Sequence, residues 1–83
     1  MEDKIRELVA AHAGLPGNGA NLPYDADLYR AGMKSFASVQ LMLALEEAFE
    51  IEFPEAMLNR ATFRSMASIG QAVSSLQVPA SVS

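Results

Sequence analysis

Ile5, Leu8, Val9 and His12 recur three and four residues apart, which lines them along one face of a helix over residues 3–13. Glu2 and Asp3 suit its N-terminus, His12 suits its last turn, and Gly14 ends it. A second apolar pattern runs from Phe36 to Phe49 and predicts a helix over residues 35–50. On a wheel at about 100° per residue its apolar positions split into two groups. Leu41, Leu45, Phe49, Met42 and Ala48 make a core face, with Ser38 on the same side. Phe36, Val39 and Leu43 fall on another arc, beside Gln40, Glu46, Glu47 and Glu50. That arc is either covered by the segment from Leu22 to Tyr29 or exposed as a docking patch rimmed by acids. Met66, Ile69, Val73 and Leu76 keep helical spacing and predict a last helix over residues 65–76, capped by Ser65 or Thr62, with Phe63 packed at its entry.

Residues 14–34 form a long connection containing Pro16, Gly17-Asn18-Gly19 and Pro23. A connection of that length in a small domain is functional or pinned down. Leu15, Leu22, Tyr24, Leu28, Tyr29 and Met33 would pin it, and Asp25 could cap a short helical turn that presents Leu28 and Tyr29. Extended Ile51-Glu52-Phe53 leads through Pro54 into a short third helix with Met57 and Leu58. The predicted fold is therefore all-α, packed around Leu8, Leu41, Leu45, Phe49, Ile69 and Val73. Periodicity stops after Leu76, which divides the chain into one domain over residues 1–76 and a flexible tail over residues 77–83.

A chain of 83 residues buries only about 60% of the surface its unfolded form exposes, so the core is small and leaves no room for a deep active site. It has no cysteine, hence neither a disulfide framework nor a thiolate nucleophile. The net charge of −4 argues against nonspecific nucleic-acid binding, which needs cations to neutralise phosphates. Five glutamates lie between Glu46 and Glu55, as a solvated face or as a steering patch for a basic partner. The charged start lacks a signal core, and no apolar run approaches the roughly 20 residues of a membrane span. A soluble, cytoplasmic monomer without membrane contact is expected. The five methionines fill irregular gaps in the core or mark an adaptable interior.

Catalytic machinery is absent from the pattern. The lone histidine belongs to a different helix from the candidate serine nucleophiles, and there is no metal-ligand cluster or glycine-rich phosphate loop. What remains is Ser35, delivered by Gly32-Met33-Lys34 to the head of the 35–50 helix. One reading makes it the N-cap. The other makes it an exposed acceptor for a phosphate ester, because unsatisfied N–H groups and the positive end of the macrodipole favour an anion there.

The run from Asp27 through Leu28, Gly32, Ser35 and Leu45-Glu46-Glu47-Ala48-Phe49 to Pro54, continued by Thr62-Phe63-Arg64-Ser65-Met66-Ala67-Ser68-Ile69, resembles the acyl and peptidyl carrier protein family. The resemblance implies a four-helix carrier bundle with a long first loop and a short third helix. It implies that a phosphopantetheinyl transferase moves 4′-phosphopantetheine from coenzyme A to Ser35, and that the arm's thiol then holds an acyl or aminoacyl group as a thioester. Ser38 is the competing hydroxyl, set aside because its wheel position faces the core. Two positions depart from the family pattern: Lys34 replaces the usual aspartate and Phe36 the usual leucine. Lys34 could pair with the attached phosphate or simply solubilise the surface. These departures, and a helix start poor in acids, are similar to peptidyl carriers and small aminoacyl carriers. The partners implied are an ATP-dependent aminoacyl or acyl ligase and a downstream acceptor enzyme. The alternative is a small helical interaction module that binds through Phe36 and Leu43 and carries no prosthetic group.

Overall fold

The structure, a computed structural model, describes residues 2–19 and 22–77. Among the described residues four α-helices follow one another: α1 (Glu2–His12), α2 (Leu28–Ala31), α3 (Ser35–Phe49) and α4 (Met66–Gln77). Short 3-10 turns occupy Pro16–Gly19 and Glu55–Met57, and no strand occurs among the described residues. The predicted short third helix is thus a single 3-10 turn. The short helical turn expected at Leu28 and Tyr29 is α2, which lies inside the predicted long loop. Gln77, expected in the tail, closes α4, and residues 78–83 lie outside the described residues.

Amphipathic pattern accounts for the bundle. Ile5 and Val9 of α1, Leu41 and Leu45 of α3, and Met66, Ile69 and Val73 of α4 are all but fully buried. They bring α1 against both α3 and α4. Burying each such side chain contributes on the order of 1.5–3 kcal/mol, which in a chain this size must carry most of the stability. Leu8 and Phe49, predicted as core, are half-buried and pack at its margin. Ala48, predicted on the core face, is exposed. A wheel gives the direction of a side chain and says nothing of how far along the helix its neighbours extend. Gly14 ends α1 with φ +68°, a conformation that glycine adopts without a Cβ penalty.

The connection from α1 to α3 is tied to the entry of α4. Leu28 N–H donates to Arg64 O at 2.6 Å, and Ala67 N–H donates to Tyr24 O at 3.0 Å. Arg6 of α1 adds a bond from its guanidinium to Leu22 O at 2.9 Å. Leu15, Leu28 and Met33 are buried in the core, and Leu22, Tyr24 and Tyr29 pack against it, so the six predicted anchors do hold this segment. Its cap differs from the predicted one. Asp27, not Asp25, accepts from Tyr29 N–H at 2.9 Å and Arg30 N–H at 3.2 Å. Asp27 immediately precedes Leu28 with extended backbone, which aims its carboxylate at the first free donors of α2.

At the other end, α4 is closed by a reciprocal cap. Ser68 N–H donates to Ser65 Oγ at 3.0 Å, and Ser65 N–H donates to Ser68 Oγ at 3.1 Å, the exchange of a capping box with serine in the third position. Phe63 is buried edge-on against Phe53, with ring centroids 5.3 Å apart. Glu46, expected on the acidic rim of α3, is half-buried and turns to the chain that leaves the helix, where it accepts from Phe53 N–H at 2.9 Å.

Candidate functional site

Ser35 is the first residue of α3, and it is exposed. The N-cap position belongs to Lys34, whose backbone is extended and whose side chain makes no capping bond. The capping reading of Ser35 therefore fails: its Oγ has no hydrogen-bond partner among the described residues. The competing hydroxyl is committed, since Ser38 donates from Oγ to Ser35 O at 2.6 Å. Ser38 is also less exposed than Ser35, being half-buried. One free serine hydroxyl thus stands where the first N–H groups of a 15-residue helix have no intrahelical acceptors and no acid sits in the first turn. That environment favours an anion bonded to the serine.

The apolar arc beside Ser35 is open. Phe36 is 70% exposed, Leu43 53% and Val39 51%, so the Leu22 to Tyr29 segment does not cover it. Two of the three therefore give α3 a free apolar ridge, and Val39 leads into a groove. This groove has a volume of about 450 Å³ and runs beside Ser35 between α3 and the segment before α4. Val39, Met42, Leu58 and Phe63 supply its apolar wall, and Tyr29 and Arg60 close one side. Arg60 lies over the Tyr29 ring, 4.1 Å from its centroid. Sequence reasoning missed this pair, because residues that far apart show no periodicity linking them. Only the pinning of α2 by Leu28 brings Tyr29 to that place.

Elsewhere the titratable groups do not build a reaction centre. His12 is exposed in the last turn of α1. Burial pushes the Tyr24 phenol above its ordinary value, the Glu2 carboxylate adds to the rise and Arg6 opposes it. Tyr24 Oη lies across Gly70, where a Cβ would come within 2.9 Å, so the ring packs on a helix rather than facing a substrate. Among the described residues no cluster of histidine, aspartate or glutamate could hold a metal ion, and no helix is long and apolar enough to cross a membrane.

The bundle offers an uncommitted serine hydroxyl at the head of a helix, next to an apolar ridge. Residues 3–69 match the family model described as phosphopantetheine attachment site, and the chain belongs to that family. It is a carrier protein, not an enzyme, and the family implies a covalently attached phosphopantetheine group. It is 51% identical over 73 residues to an aminoacyl carrier protein of Agrobacterium fabrum, covering 88% of each chain. A chain in the crystal structure of an engineered Bradyrhizobium japonicum glycine:[carrier protein] ligase, complexed with a carrier protein from Agrobacterium tumefaciens and AMP, is 50% identical with a TM-score of 0.86. That match covers 89% of this chain and 99% of the other. The solution structure of an Agrobacterium tumefaciens protein is 44% identical over the whole of both chains, with a TM-score of 0.76.

The residues present suit the implied group. The exposed Ser35 hydroxyl is free to form a phosphodiester, and the groove beside it is shaped by apolar side chains with one cation. Family membership also decides between a carrier and the interaction module without prosthetic group.

Proposed function

We propose that this chain is an aminoacyl carrier whose attachment site is Ser35. A phosphopantetheinyl transferase makes the new bond between Ser35 Oγ and the pantetheine-bearing phosphorus of coenzyme A, the adenosine bisphosphate half leaves, and the Oγ proton passes to the transferase. When bound, the arm supplies a thiol that holds the cargo as a thioester. A separate ATP-dependent ligase loads the cargo, and an acceptor enzyme takes it away. Tethering raises the local concentration of cargo at each docked enzyme while the carrier stays free to move between them.

The observation that carries this reading is the free, exposed hydroxyl of Ser35 at the head of α3, set against the committed hydroxyl of Ser38. What the chain itself contributes is presentation. Lys34 precedes the site as an exposed cation, Phe36 and Leu43 offer the ligase an apolar contact, and the helix start favours the phosphodiester charge. The amino-acid cargo is supported by the name of the Agrobacterium fabrum relative, and the glycine ligase in the similar complex makes glycine the first amino acid to test. A reducing cytoplasm is in keeping with a chain that has no cysteine.

The test uses the pantetheinylated protein, ATP and the ligases of its host, and follows thioester formation with labelled amino acids against labelled fatty acids. Charging by an amino acid is expected. Charging by fatty acids alone would reject the aminoacyl cargo while leaving the carrier assignment intact.

A further inference from the structure

The groove at Ser35 contains one charged side chain, Arg60. Its surroundings are unusual for an exposed arginine. Its guanidinium carbon lies over the Tyr29 ring, 4.1 Å from the centroid, and the group has neither a carboxylate nor a hydrogen-bond partner among the described residues. The neighbouring cation is different: Arg64 pairs with Asp27 at 3.7 Å. The platform is held from both sides. Tyr29 rides on α2, which Asp27 caps. Arg60 follows Asn59, whose side chain donates to Ala56 O at 2.9 Å and accepts from Thr62 N–H at 3.0 Å. A guanidinium that lies over a ring and has no anionic partner keeps its N–H donors for a two-point contact with an oxyanion. The anion that would arise beside it is the phosphodiester on Ser35, which lines the same groove.

We infer that Arg60 is a positioning residue for the phosphodiester on Ser35, donating from its guanidinium edge to the phosphate oxygens and so fixing the root of the arm along the groove. This rests on Ser35 being the attachment site. Lys34 is the rival cation, but it does not line the groove and has no platform to hold it. An exposed ion pair contributes little to stability, so the effect belongs to the position and mobility of the arm rather than to folding. Tyr29 sets the geometry, and lysine in place of Arg60 keeps the charge without the stacked fork.

The experiment converts wild type, Arg60→Gln, Arg60→Lys and Lys34→Gln to the holo form with coenzyme A and a transferase, and confirms each by intact mass. It then records phosphorus spectra and the arginine Nε–Hε resonances before and after loading. The Arg60 Nε–Hε resonance is expected to move on conversion of the wild type. The phosphorus resonance is expected to shift and narrow in Arg60→Gln, shift partly in Arg60→Lys and stay in place in Lys34→Gln. An Arg60 resonance unchanged by loading, with the phosphorus signal of Arg60→Gln superimposed on wild type, would overturn the inference alone. So would a phosphorus shift in Lys34→Gln only. Absence of any holo mass would overturn the attachment reading and this inference with it.

Discussion

The two faces of α3 are built from the same residue types and have opposite fates. Leu41 and Leu45 are 0% exposed, whereas Leu43, between them in sequence, is 53% exposed, and Phe36 at the head of the helix is 70% exposed. Folding therefore consumes one stripe of an apolar helix and leaves the other uncovered, at a cost in solubility that a monomer without partners would have no reason to bear. The exposed stripe begins beside Ser35, so the free hydroxyl at the head of α3 and the apolar ridge are presented together. In a carrier that arrangement lets a partner grip the helix while the arm enters its active site.

Substitutions should separate the two faces. Leu45→Ala is expected to destabilise the fold by about 2–5 kcal/mol in a denaturant titration, because it leaves a cavity in the core. Asp27→Ala is expected to cost about 1 kcal/mol, through loss of the two donors' acceptor at the head of α2. It should also loosen Tyr29 and hence one wall of the groove, seen as faster amide exchange over residues 28–31. Phe36→Ala and Leu43→Ala are expected to change stability by no more than about 0.5 kcal/mol. Each should nevertheless raise the ligase's KM for the carrier roughly tenfold, as truncation of an exposed apolar anchor does. Were Phe36→Ala to unfold the protein while Leu45→Ala left it intact, the division of α3 into a structural and a docking face would be reversed.

Helix positions were legible because a helix of 11 to 15 residues repeats its apolar signal several times, as Ile5 and Val9 or Leu41 and Leu45 do. Single-residue choices were less so. Asp25 and Asp27 are equally good caps by type, and only the extended backbone at Asp27 and the burial of Leu28 select between them. Ser35 is a candidate from its place at the head of a helix and from family resemblance, while its freedom from capping shows only in the backbone of Lys34 and the bond from Ser38. Periodicity places Glu46 on the surface because it carries no information about a turn that folds back on its own helix. The groove was invisible for the same reason: Tyr29, Met42 and Arg60 meet only through tertiary packing.

The most direct measurement is a map of the modified peptide. The protein is incubated with coenzyme A, magnesium and a broad-specificity transferase, alongside Ser35→Ala and Ser38→Ala, and then digested for mass spectrometry. Wild type and Ser38→Ala are expected to gain one phosphopantetheine on the peptide containing Ser35, and Ser35→Ala none. Modification that survives Ser35→Ala, or a label found on Ser38, would contradict the assignment of the free hydroxyl at the head of α3.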